Sequence, residues 1–289
     1  MTSVFKERVA LHWQLIKPLQ TGLLLLTGIA GFVTGRCPVS KFGLLLLMSL
    51  SLALSIAGST TFNMVIDRDI DLSMGRTVRR PLPSGKLTIK QALGFAASLS
   101  LSGIGLAFLL QPLFGVLVFL GFFFDVVVYS LWLKRRTPWS IIWGGVAGAM
   151  PIISGRALAL GRVDYIGLLL GLSILLWIPT HILTFSMKYY EDYQRANIPT
   201  FPSTYGFKRT RLVIAFSSLG AAISVAIGIL ALGLSWGYLR LLAVLAVGLL
   251  GLALYSLFRP SERVNFGLFK YASIFMLGSM IIIMVGSLG

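Results

Sequence analysis

Long apolar runs alternate with short polar, mostly basic segments along this chain. Runs able to cross about 30 Å of hydrocarbon occupy residues 16–35, 43–66, 89–110, 113–133, 139–160, 164–186, 211–233, 236–258 and 267–288. They are continuous, which excludes a membrane β-barrel, where apolar and polar positions alternate over about ten residues. The pattern predicts an all-α polytopic membrane protein: nine transmembrane helices in one domain, residues 1–289. No small-residue cleavage site follows the first run, which therefore reads as a retained span. The first and last runs carry the Gly, Ser and Ala that let membrane helices approach closely.

Composition makes the lipid bilayer the solvent. The chain is 56% hydrophobic and 12% charged, with a mean hydropathy of +0.88. A net charge of +16 would suggest nucleic acid as partner for a soluble protein. Here the Lys and Arg fall between apolar runs rather than along one face, so no nucleic-acid partner is expected. Of the 25 Lys and Arg, all but Arg36, Lys41, Arg156, Arg162 and Arg240 fall on the side that holds the N-terminus. The positive-inside bias predicts that this side is cytoplasmic and the C-terminus external. The longer loops share that side, so polar chemistry is expected there, at the cytoplasmic face of the cell (plasma) membrane. Cys37 is the only cysteine, leaving no intrachain disulfide and no Cys-based metal site.

Most of the nine acidic residues sit in two segments on that face: Asp67, Asp69 and Asp71 after the second run, Glu191 and Asp192 after the sixth. Asn63, Asp67 and Asp71 are spaced i, i+4, i+8 and form one helical stripe. Such a stripe offers hard oxygen ligands for Mg²⁺, which favours a few carboxylates together with phosphate oxygens and water. The other reading is a solvated helix end, which leaves Asn63 costly inside an apolar run. A basic loop follows, with Arg76, Arg79, Arg80 and Lys86 among Pro and Gly. Cations beside metal-holding carboxylates are complementary halves of a diphosphate site, although each one also serves the topological bias. Lys188, Glu191, Asp192 and Arg195 repeat the combination, and Glu191 and Asp192 are further candidate metal ligands.

Two residues are left open by the pattern. Asp125 lies inside the fourth run, as a functional acid or as a protonated hydrogen-bonding contact between helices. If the sixth helix continues through the second acidic segment, His181, Lys188 and Asp192 share a stripe with His181 deepest. Phe62, Trp132, Trp177 and Phe185 are either core packing or rings whose faces stabilise a carbocation. Asp67 and Asp71 are expected to face a hydrated cavity. A transporter would instead place its charges on broken helices near the midplane, in repeat-related pairs, and a non-catalytic assembly subunit would need no stripe of oxygen ligands.

Together, N-x-x-x-D-x-x-x-D at 63–71, R-P-L-P-S-G at 80–85 and a second Asp segment after the sixth run resemble the UbiA-type intramembrane prenyltransferase superfamily. L-K-R-R-T-P at 133–138, the Gly-rich run ending at Pro151, W-I-P-T-H at 177–181 and D-Y-Q-R-A-N-I-P-T-F-P at 192–202 are similar to its heme O synthase branch. That resemblance implies transfer of a farnesyl group from farnesyl diphosphate to a vinyl group of heme B, with Mg²⁺ as cofactor. Asn63, Asp67 and Asp71 then fall in the first Mg²⁺-diphosphate motif and Asp192 in the second. Asp67, Asp71, Asp192 and His181 are implied as catalytic, and Asn63, Arg80, Lys134, Arg135 and Lys188 as diphosphate-binding. The chain departs from the pattern at Asp125, where an aromatic is usual, at Glu191, where a second Asp is common, and at Arg156. Asp125 and Arg156 bear on the acceptor, and an aromatic, quinone-precursor or glycerophosphate acceptor is the alternative.

Overall fold

The structure is a computed structural model that describes residues 2–35 and 42–288; Arg36, Cys37 and Lys41 lie outside them. The described residues form helices α1 (Thr2–Leu15), α2 (Pro18–Val33), α3 (Phe42–Ile66), α4 (Arg68–Ser73), α5 (Ile89–Leu110) and α6 (Pro112–Phe122). A π-helical segment, Phe123–Leu133, continues α6 without a break. Then come α7 (Ser140–Leu160), α8 (Tyr165–Lys188), α9 (Tyr190–Arg195), α10 (Phe201–Ala231), α11 (Trp236–Phe258) and α12 (Glu262–Leu288).

Eight of these spans are long and apolar enough to cross a membrane, or nine if the bent pair α1–α2 counts as one. The expected first span, 16–35, corresponds to α2, and α1 precedes it across a bend. Lys17 takes a left-handed conformation, φ 44°, and Pro18 cannot donate the hydrogen bond that would continue α1, so the axis turns by 54°. Helix α10 starts at Phe201, where Thr200 and Ser203 close a capping box, but Gly206 at φ 79° and ψ 162° kinks it, and the part that continues into the seventh span begins after Gly206, ahead of the expected 211. Lys208, Arg209 and Arg211 ride on a helix that extends past its apolar part.

Small residues set the helix crossings, as expected where lipid offers no hydrophobic force between helices. A Cβ on Gly31 would collide with the Ile152 carbonyl and one on Gly155 with the Gly28 carbonyl, so α2 and α7 touch backbone to backbone. Gly103 of α5 lies against the Ser55 backbone of α3, and Ser51 donates to the Gly103 carbonyl at 2.7 Å. α8 meets α10 through the buried hydroxyls of Thr180, Ser217 and Ser218. α12 packs on both α8 and α2 and closes the ring.

Arg156 is buried near the end of α7, about 24 Å along the axis from Ser140. It forms a two-pronged pair with Asp164 at 2.7 and 2.8 Å and donates to the Thr34 carbonyl at 2.7 Å. Its expected influence on an acceptor pocket is corrected: this guanidinium fastens the helix ends of α2, α7 and α8 at the far side of the bundle.

Candidate active site

The first acidic stripe survives the junction between α3 and α4. Asp67 N–H bonds the Asn63 carbonyl at 2.9 Å and Asp71 N–H the Asp67 carbonyl at 2.8 Å, so the α-helical register runs through all three residues. The following loop is not loose. Thr77 donates to the Asp71 carbonyl at 2.9 Å, Gly85 turns the chain at φ 73°, and Leu82 and Leu87 are buried against Leu11, Leu15 and Met64. That anchoring aims Arg80 back at the stripe.

The second segment is reached through a hydrophobic contact. Ile70 and Met74 pack on Ile198, Tyr193 and Ala196, holding the two acidic segments against each other. The continuous stripe through His181, Lys188 and Asp192 is corrected. The backbone breaks at Tyr189, φ −107° and ψ 33°, whose ring folds back on Phe185 with centroids 4.6 Å apart.

Each central carboxylate is matched by a cation. Lys134 bonds Asp67 at 2.5 Å, Arg80 grips both oxygens of Asp71 at 2.9 and 3.0 Å, and Arg76 stands 3.9 Å from Asp192. Arg76, a cation of the basic loop that is not among the diphosphate-binding residues implied by the resemblance, also lies over the rings of Phe185, Tyr189 and Tyr193, 5.0 to 5.9 Å from their centroids. Asn63, Asp67 and Asp71 are buried, which corrects the expected hydrated cavity: the ion pairs fill it. Burial disfavours the Lys134 charge, but Asp67, Tyr129 and Tyr193 outweigh it and hold the ammonium above the usual lysine range.

Other candidates stand apart from this cluster. Arg135 holds the exposed Asp69 with two bonds of 2.6 and 2.7 Å and keeps that carboxyl below its ordinary value. Glu191 is exposed and pairs with Arg195 at 3.2 Å. The Lys188 ammonium sits 3.3 Å from the centroid of Phe266. Trp132 points outward, 55% exposed, which corrects its reading as a ring in the reaction pocket.

An aromatic column descends from Arg76 into the bundle. Phe185 meets Phe269 at 5.6 Å, Phe269 stacks on His181 at 4.4 Å, and His181 stacks on Trp177 at 4.9 Å. His181 Nδ1 lies 3.3 Å from the Ser273 hydroxyl. Phe269 and Ser273 come from α12, too remote in sequence for any spacing argument to connect them with His181.

Mg²⁺ fits one feature of this cluster. Asp67 Oδ1 is buried without a hydrogen-bond partner, a costly state for a carboxylate oxygen. Among the described residues no three His, Cys, Asp or Glu form a ready metal cage. Residues 24–277 match the UbiA prenyltransferase family.

The chain belongs to the UbiA prenyltransferase family. It is similar to a protoheme IX farnesyltransferase of Korarchaeum cryptofilum, 42% identical over 75% of this chain and 73% of the relative. Another, from Pyrobaculum islandicum, is 36% identical over 90% and 93%. In fold, it is similar to a digeranylgeranylglyceryl phosphate synthase, TM-score 0.79 at 21% identity, covering 98% of this chain and 99% of that one. A UbiA homologue from Archaeoglobus fulgidus bound to DMAPP and Mg²⁺ gives a TM-score of 0.69 at 18% identity, covering 94% and 98%. The chain is a multi-pass membrane prenyltransferase, with the cation–carboxylate cluster and the aromatic column as its candidate active site.

Proposed function

We propose that this enzyme transfers the farnesyl group of farnesyl diphosphate to a vinyl group of heme B, with Mg²⁺ as cofactor and the diphosphate site facing the cytoplasm. The observation that carries the reading is the junction of the two parts: Arg76 caps the aromatic column and stands beside Asp192. Charge would thus be handled directly above a ring-lined interior. The names of the relatives favour heme as acceptor.

Asp67 through its free oxygen, Asp71, Asp192 and the Asn63 carbonyl would hold Mg²⁺. Bound there, the ion neutralises charge that accumulates on the departing diphosphate. Lys134, Arg80 and Arg76 exchange carboxylate partners for phosphate oxygens, so the resting ion pairs keep the site assembled until the donor enters. The farnesyl tail is held among apolar helices, gaining about 0.8 kcal/mol per buried CH₂. The bond from C1 of the farnesyl group to diphosphate breaks with its electron pair leaving on oxygen, and the terminal vinyl carbon bonds to C1. Water adds at the inner vinyl carbon and loses a proton, giving the hydroxyl. Phe185, Phe269 and Trp177 present faces to the cationic intermediates and keep bulk water away. His181 serves the acceptor end, at its iron or at the attacking water.

The test is mass spectrometry of heme after incubation of purified enzyme with farnesyl diphosphate, with and without Mg²⁺. Farnesylated, hydrated heme is expected only with the metal, and Asp67→Asn should lower turnover by at least about 10²-fold. Prenylation of an aromatic acid or a glycerophosphate, but never of heme, would overturn the acceptor. Near-parent turnover of Asp67→Asn would overturn the metal site.

A further inference from the structure

Asp125 is explained by the winding of its own helix. Its Oδ2 accepts from the Ser59 hydroxyl and from Asn63 Nδ2, the latter at 2.8 Å, while the Ser130 hydroxyl donates to Asn63 Oδ1 at 2.7 Å. An ionised carboxylate can only accept, so Asp125 turns the NH₂ of the Asn63 amide towards itself, and the carbonyl oxygen is left to accept from the Ser130 hydroxyl. One lone pair of its carbonyl oxygen is engaged by Ser130, and among the described residues no second donor meets the other.

Asp125 and Ser130 are five residues apart. On an α-helix they would point about 140° away from each other. The i to i+5 bonding of a π-helix brings them into one column, and Lys134 N–H bonds the Tyr129 carbonyl in that register at 2.8 Å. The column Asp125, Ser130, Lys134 thereby lies against the α-helical column Ser59, Asn63, Asp67, each rung hydrogen-bonded and the last an ion pair. An aromatic side chain at 125 would be unable to accept both bonds.

Building on the proposed Mg²⁺-diphosphate site, we infer that Asp125 is a positioning residue: with Ser130 it fixes the Asn63 amide so that the carbonyl oxygen's free lone pair is presented to the metal. The π-helical winding is what places both clamps on one amide. Groups that orient a ligand in this way typically carry about 10- to 100-fold in metal affinity.

The test uses the full-length enzyme in detergent. Binding of labelled farnesyl diphosphate is titrated with Mg²⁺, and Mn²⁺ binding is followed by electron paramagnetic resonance. Asp125→Leu should raise the metal concentration for half-maximal binding at least about tenfold and broaden the Mn²⁺ spectrum, with little change in KM for the acceptor. Asp125→Asn, which keeps an acceptor oxygen, should recover most of the affinity. On an Asn63→Ala background Asp125→Leu should have no further effect, since the group it orients is gone. If Asp125→Leu fails to fold, Ser130→Ala takes its place in the same cycle. A parent-like metal dependence in the Leu variant, or a loss that persists without Asn63, overturns the positioning role alone. Donor binding by the parent that needs no divalent metal overturns the Mg²⁺ site, and the inference with it.

Discussion

At the residue scale, two kinds of ion pair have different work, and the stability of the molecule should report only one. Lys134–Asp67 and Arg80–Asp71 lie in the proposed reaction site, whereas Arg156–Asp164 joins helix ends far from it. The hydrogen bonds from Arg156, together with the Gly167 N–H, hold the Asp164 carboxyl below its ordinary value of 3.8. A depressed folded-state value means that the pair stabilises fully above the unfolded pKa and is lost as pH falls through the lower, folded one. Asp164→Asn should therefore lower the detergent Tm at pH 6 by a few degrees, on the order of 1 kcal/mol for a partly exposed partner. The gap from the parent should narrow as pH drops below 3.8. A gap independent of pH would show that the charge of Asp164 contributes nothing. Carboxylates of the site were legible in the sequence because acids are rare in so apolar a chain. Their surroundings were not: Ser59, Ser130 and Phe269 join the candidate site across helices, and no local spacing encodes that.

At the element scale, helix type and ends depended on chemistry that hydropathy does not measure. Nine apolar runs were visible, and eight or nine spans are found, depending on how the bent first pair is counted. The π-helical winding of Phe123–Leu133 was invisible, since apolarity is the same in either helix. α10 outran its apolar segment because its start is set by a capping box at Thr200 and a kink at Gly206, not by the edge of the oil. Glycine gave a clearer signal, and its consequence can be tested at the α2–α7 crossing, where the Cβ of any other residue at 155 meets the Gly28 backbone. Backbone cannot yield as a flexible side chain does, so Gly155→Val should force these helices apart, whereas Gly105→Val, in open space on α5, should be tolerated. Thermal unfolding in matched detergent reads the difference. Equal Tm values for the two variants would mean that close approach at this crossing contributes little to the bundle.

At the scale of the whole molecule, the distribution of charge predicts on which side of the membrane the proposed site lies. The cluster, its basic loop and the second acidic segment share one end of the bundle; Arg156, Arg162 and Asp164 mark the other. Lys and Arg concentrate on the site's end, and transfer of such segments across a bilayer is disfavoured, so diphosphate should enter from the cytoplasm. Single cysteines placed on a Cys37→Ser background distinguish the two ends. Ser84, exposed in the basic loop, and Val163, exposed in the connection between α7 and α8, suit this purpose because neither is buried. In intact cells a membrane-impermeant thiol reagent should label Val163→Cys at once. Ser84→Cys should react only after the inner face is opened. Labelling with the opposite preference would invert the molecule in the membrane: the donor would then have to be supplied from outside, and the positive loops would need another explanation, such as direct service to the diphosphate.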